Sequence, residues 1–175
     1  MPTNVLTKAA VLAIAAVGSI SAAPLEVRGP EDFQEMMLQT TNWYRSQHSA
    51  EPVSWDQDLA DYATNHANTC TNGHSGGPHG ENIASGDTWL NWANLFGNER
   101  VLFDFDNGMP NGDTGHFTQL VWKSTSRMGC GWAQCPSPVG HFVVCSYEKP
   151  GNMGSEVREN VGHQIQGSPN DQFPG

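Results

Sequence analysis

Four cysteines, Cys70, Cys130, Cys135 and Cys145, restrict this 175-residue chain more than any other feature. What they can do depends on the compartment, and the N-terminus speaks to that. Leu6 to Ala23 reads as an export signal: Lys8 supplies the positive start, Ala9 to Val17 the apolar core, and Ser21-Ala22-Ala23 a small-residue cleavage site. The apolar run is short for a membrane span, and nothing later in the sequence would cross a bilayer. A secreted, extracellular chain folds under oxidising conditions, where four cysteines predict two disulfides. Sequence alone leaves three pairings open. A zinc site is the alternative, disfavoured by the compartment and by the Cys-x4-Cys spacing of Cys130 and Cys135. The expected organisation is a signal peptide over 1–23, a linker over 24–32, one globular domain over 33–152, and a polar tail over 153–175 that is disordered or draped over the domain.

Charge narrows the partners. The formal net charge is −10, from 18 acidic against 8 basic residues. A chain so acidic is repelled by nucleic acid and by anionic membrane surfaces. A small, uncharged or cationic ligand remains compatible.

Hydrophobic spacing predicts the elements. Phe33, Met36, Met37, Thr40 and Tyr44 follow helical periodicity after Asp32-x-x-Glu35, which has the form of a capping box. Ser54-x-x-Gln57 has the same form ahead of Trp55, Leu59, Tyr62 and His66. Trp89, Trp92 and Phe96 make a third stripe, and Glu99 continues it. A carboxylate on an inward face is costly unless paired or bound, so Glu99 is a candidate on physical grounds alone. Gly115 to Trp122 predicts a short helix, capped by Thr114 or Asp113, that carries His116. Met128 to Trp132 and Phe142 to Tyr147 alternate as strands, joined through Pro136 to Gly140. Helices flanking a short central sheet give an α+β fold, a three-layer α/β/α sandwich.

Several of these segments carry a family likeness. Gly80-Glu-Asn-Ile-Ala84, Gly115-His-Phe-Thr-Gln-Leu-Val-Trp122, Met128-Gly-Cys-Gly131, His141-Phe-Val-Val-Cys-Ser-Tyr147 and Pro150-Gly-Asn152 occur in order. The chain resembles the CAP superfamily (cysteine-rich secretory proteins, antigen 5, pathogenesis-related class 1 proteins), and within it secreted fungal members. The likeness covers residues 33–152. It implies the same sandwich fold and the pairings Cys70–Cys135 and Cys130–Cys145. Two departures stand out: Thr41 replaces the usual histidine before Asn42-x-x-Arg45, and Phe96 replaces a tryptophan.

The resemblance further implies a tetrad, His74, Glu81, Glu99 and His116, converging in a surface cleft. Imidazole and carboxylate ligands suit a weakly bound divalent metal, zinc or magnesium. The other reading of the tetrad is a hydrogen-bonded cross-link between helices and loops. No His-Glu-x-x-His is present. Gly73-His-Ser75-Gly-Gly77 matches the serine-hydrolase elbow in letters, but a helix and Cys70 precede it where that elbow needs a strand. His66 reads as a hydrogen-bonded core residue, and His48, His79, His141 and His163 as surface residues.

The resemblance also implies lipid binding, by sterols at an aromatic loop or by fatty acids between helices. The candidates are Phe103, Phe105 and Met109. Phe103 and Phe105 alternate and so share a face, either towards a pocket or towards the core. Gly108-Met109-Pro110 stands where the family carries Pro-Gly-Phe, and Met109 replaces some of the lost apolar contact. The reading is therefore a secreted protein that binds sterols or related small lipids. The alternatives are a metal-dependent hydrolase at the tetrad and a non-enzymatic scaffold for an extracellular protein partner.

Overall fold

The computed structural model describes residues 32–175; the expected signal peptide and nearly all of the linker lie outside the described residues. Among those described, no helix is long and apolar enough to cross a membrane. The elements are α1 (Phe33–Gln47), β1 (Ser54–Trp55), α2 (Gln57–Ala67), β2 (Gly80–Gly86), α3 (Trp92–Asn98) with a 3-10 turn at Glu99–Leu102, α4 (Gly115–Leu120), β3 (Arg127–Gln134), β4 (His141–Glu148), a 3-10 turn at Gly154–Glu156 and α5 (Val157–Asn160).

The sheet has the order β1-β3-β4-β2. β1 runs parallel to β3, and the other two pairings are antiparallel. Strand alternation sorts the side chains into two cores. Val143, Cys145, Tyr147, Met128 and Cys130 point into the larger core, shared with α1, α3 and α4. Phe142, Val144 and Ala133 point into the smaller one, against Ala63 and Ala67 of α2. The result is the three-layer α/β/α sandwich. Disulfides join Cys70 to Cys135 and Cys130 to Cys145.

The α2 layer lies close because β3 offers it almost no side chains. A Cβ on Gly129 would sit 2.2 Å from the Ala60 nitrogen, and one on Gly131 2.4 Å from the Thr64 nitrogen. This close approach selects which face of α2 is buried. Leu59, Ala60, Ala63 and Ala67 are buried, whereas the expected stripe placed Tyr62 and His66 inward. Both are half-buried instead. Small residues meet glycines, so the bulkier ones turn aside.

Neither capping box forms. Asp32 is itself helical and its side chain makes no cap bond. Ser54 and Trp55 are drawn into pairing with Arg127 and Met128, so α2 starts later and Asp56 caps it, accepting from the Leu59 N–H at 3.0 Å.

The basic residue near the end of α1 is wholly buried. Arg45 donates through Nε to the Glu51 carbonyl (2.7 Å), through Nη1 to those of Leu120 (3.1 Å) and Trp122 (2.8 Å), and through Nη2 to that of Thr125 (2.8 Å). Burial pulls its pKa down to about 10, still far above neutral, so the charge is retained. A guanidinium suits the place because its fork presents several donors in fixed directions.

The sequence leaves the tail over 153–175 disordered or draped, and here it lies along the body. Ile165 donates its N–H to the Gln47 carbonyl at 2.8 Å. Buried Arg100 donates to the carbonyls of Pro169 (2.8 Å), Ser168 (2.9 Å) and Asp171, and to the Gln47 side chain. Polar, aperiodic sequence gives no sign of this, because the contacts run through the tail's backbone. Phe173 reaches the Trp43 ring, with centroids 6.2 Å apart.

His48 corrects the sequence expectation. Expected at the surface, it is fully buried, with Nδ1 2.9 Å from the Gly162 carbonyl and its ring stacked on Phe105. Burial is the main cause that lowers its pKa from 6.5 to about 4; the Gly162 bond opposes the shift, and Arg100 and His163 add to it.

Two predictions follow from these buried groups. Arg45→Met strands four backbone carbonyls, each costing about 1–3 kcal/mol when unsatisfied. Urea denaturation should show a loss of at least about 3 kcal/mol, and a loss below 1 kcal/mol would contradict the role given to Arg45. For His48, the unfolded chain takes up a proton below pH 6.5 that the folded chain refuses until about pH 4. Stability is therefore full above that window and falls as pH drops through it, by about 3 kcal/mol in all. His48→Phe should flatten the stability profile between those limits; an unchanged profile would place the titration elsewhere.

Candidate ligand cleft

The segments carrying His74, Glu81 and His116 meet in one surface cleft of about 370 Å³, walled also by Asn82, Asn111 and Asn152. Each wall is fixed by a bond that its local sequence could not supply alone.

Glu81 is placed by β2, a strand the sequence did not reveal, opposite Ser146 of β4. Its Oε2 accepts from the Ser75 N–H at 2.9 Å and lies 3.3 Å from His74 Nδ1. The loop between α2 and β2 is thus tied to the strand through a carboxylate. The Cys70–Cys135 disulfide and a 2.6 Å contact between His66 Nε2 and the Gly73 carbonyl hold its start. The His74 side chain is 62% exposed, whereas that of Glu81 is 5% exposed. The second oxygen of Glu81, Oε1, is buried with no protein partner.

His116 sits in the first turn of α4. Thr114 precedes that helix, but its side chain makes no cap bond; its hydroxyl accepts from the Asn111 N–H at 3.2 Å. The cap comes from Glu99, at the end of α3. Glu99 Oε2 accepts from the N–H groups of His116 (3.0 Å) and Phe117 (3.1 Å), and Oε1 lies 2.6 Å from His116 Nδ1. One carboxylate therefore satisfies two orphan helix donors and fixes the imidazole. Phe96, in the place of the family tryptophan, packs against the His116 ring at 5.0 Å.

Two asparagines complete the walls. Asn82 donates to the His116 carbonyl (2.9 Å) and to the Tyr147 hydroxyl (3.2 Å). Asn152 donates to the Gly115 carbonyl (2.9 Å) and accepts from the Thr118 hydroxyl (2.6 Å). Sequence reading missed both as site residues, although each lies inside a segment quoted for the family, Gly-Glu-Asn and Pro-Gly-Asn.

The tetrad is thus two histidine–glutamate pairs, with Glu99 behind His116. Among the described residues, no three His, Cys, Asp or Glu side chains gather as a metal site. Each imidazole turns Nδ1 to a glutamate, which leaves Nε2 as the nitrogen able to ligate. This donor set fits two imidazoles completed by water, with the glutamates orienting the rings. It does not fit a site of four protein ligands.

The serine-elbow reading has no support in the geometry. Ser75 Oγ lies 2.9 Å from the Tyr62 hydroxyl and accepts from the Gly77 N–H at 3.1 Å, so its partners are a phenol and a backbone amide.

The aromatic loop departs from the pocket reading. Phe103 is 8% exposed and packs on Phe105 (5.1 Å) and Phe117 (6.0 Å). Phe105 lies between His48 (5.5 Å) and His163 (5.4 Å). The two rings do share a face, but it is the inward one. They anchor the loop and do not line the cleft. Met109 alone of the three lipid candidates is open to solvent, at 53% exposure. It adjoins Pro110 of the cleft wall.

Comparison with known proteins agrees with this architecture. Residues 38–147 match the CAP, cysteine-rich secretory protein, family. Protein PRY2 of Saccharomyces cerevisiae is 38% identical over 135 residues, which cover 74% of this chain but only 41% of that protein. Pathogenesis-related protein 1 of Arabidopsis thaliana is 37% identical over 133 residues, covering 72% of this chain and 82% of that one. Venom allergen-like protein 4 of Schistosoma mansoni superposes with a TM-score of 0.62 at 21% identity, over 78% of this chain and 96% of that one. A structure of NaASP2 with Zn2+ gives 0.59 at 22% identity, over 77% and 88%. On sequence and fold together, this chain belongs to the CAP family.

Proposed function

We propose that the chain is a secreted, non-enzymatic binding protein for sterols or related small lipids. The observation that carries this reading is the pairing of an unsatisfied acceptor with an exposed apolar rim. Glu81 Oε1 is buried and unpartnered on the wall of the cleft. Met109 stands exposed on the loop beside it. A lipid with a hydroxyl would donate to the carboxylate and lay its apolar body over the methionine. Such a ligand is uncharged and so avoids the repulsion that the net charge of −10 imposes on anions. Methionine suits that contact because its thioether adapts to irregular shapes.

The test is a saturation assay with labelled sterol. Met109→Asp should weaken binding by about tenfold, which is the loss of about 1.4 kcal/mol of apolar contact, and EDTA should leave the affinity unchanged. Saturable binding that ignores both Met109→Asp and Glu81→Gln would remove this reading. Polar replacement of Phe103 or Phe105 is not a fair probe, since it attacks the core.

The histidine geometry favours a second reading. A carboxylate 2.6 Å from His116 Nδ1 fixes the ring orientation and leaves Nε2 facing away from it, as outer partners of metal-bound histidines do. NaASP2, a structural neighbour, has been solved with Zn2+. Here His74 and His116 would hold a divalent ion weakly, as an accessory to the cleft. Calorimetric zinc titration should show binding to the wild type that His74→Ala/His116→Ala abolishes; equal binding by both would refute the assignment.

A further inference from the structure

A second cavity lies away from the histidine cleft, between α1 and the start of α3. It is lined by Met36 and Gln39 on one side and Asn91 and Asn94 on the other, and the tail residues Phe173, Pro174 and Gly175 close it, leaving about 110 Å³. The way the tail is held there is specific. Asn94 accepts from the Phe173 N–H at 3.0 Å and donates to the Phe173 carbonyl at 3.1 Å, so one carboxamide reads both polar groups of a single backbone unit. Upstream, Arg100 reads the carbonyls of Ser168, Pro169 and Asp171. The Phe173 ring rests near Trp43.

From this geometry we infer that the α1–α3 groove is a peptide-docking surface, occupied in cis by the chain's own tail and able to take in trans an extended peptide of the same chemistry. The recognition is of backbone and of one aromatic side chain, which is how extended peptides are bound elsewhere. Residues 166–175 form no helix or strand of their own, so releasing them breaks no regular element. Asp32 and Glu35 line the same cavity. The incoming segment therefore carries no acidic side chain next to its aromatic residue, as Gln172-Phe173-Pro174-Gly175 does not. This inference is independent of the lipid reading, which concerns a different cleft.

The test uses the full chain and a fluorescent peptide of residues 166–175. Phe173→Ala weakens the cis occupant without touching the groove, and thermal melting confirms that the variant is folded. Phe173→Ala should bind the peptide saturably, and the wild-type chain about tenfold more weakly, because cis occupancy scales the apparent affinity by the open fraction. Adding Asn94→Ala to Phe173→Ala should abolish binding. Failure of the peptide to bind the Phe173→Ala chain, equal binding by wild type and variant, or binding indifferent to Asn94→Ala would each overturn the inference.

Discussion

A six-residue helix cannot hold itself together, and α4 is held at both ends by distant side chains. A helix this short has more unsatisfied termini than internal bonds. Glu99 supplies an acceptor for the N–H groups at its start, and Arg45 supplies donors for the carbonyls of Leu120 and Trp122 at its end. The charges have the sign that the helix ends require, negative at the N-terminus and positive at the C-terminus. Because Arg45 lies in the last turn of α1 and Glu99 directly follows α3, the two bonds also fix those helices against α4. His116 is positioned as a consequence. The cleft inherits its geometry from this double capping, and so does the loop after it, since Arg45 also reaches Thr125 just before β3.

This explains why part of the site was legible in the sequence and part was not. Glu99 could be singled out from its place on the Trp92–Phe96 stripe, because a carboxylate there demands a partner. Its partners lie 17 and 18 residues further on, and no local rule names them. The same logic defeats the two capping boxes. Their letters are correct, but Ser54 is worth more as a strand residue beside Arg127 than as a cap. Thr114 fails likewise, because Glu99 has already taken the donors it would have bonded.

The layers were easier to read than the faces. Alternation along β4 gave a strand buried on both sides, and the structure divides its residues between two cores as period-2 geometry requires. The orientation of α2 was missed because the deciding residues are glycines in another element. Gly129 and Gly131 remove side chains from β3, so the partner helix must present alanines. Phe103 and Phe105 show the same limit. Spacing established that they share a face, but only the buried His48 and Phe117 rings determine that the face is inward.

Arg45 and Arg100 show how a domain poor in basic residues uses them. Only 8 of its 175 residues are lysine or arginine, and these two are buried. Neither reaches a carboxylate among the bonds that hold it; both are satisfied mainly by backbone carbonyls. A guanidinium bonded to carbonyls keeps its charge without a buried counterion, and it organises chain segments that have no side-chain pattern of their own. Arg45 organises the turn after α4, and Arg100 organises the tail. That division separates the two clefts in energetic terms. The histidine cleft rests on Arg45 and Glu99, which no ligand would disturb, so it is preorganised. The α1–α3 groove rests on contacts to a segment without regular structure, which another segment can replace at little cost to the core.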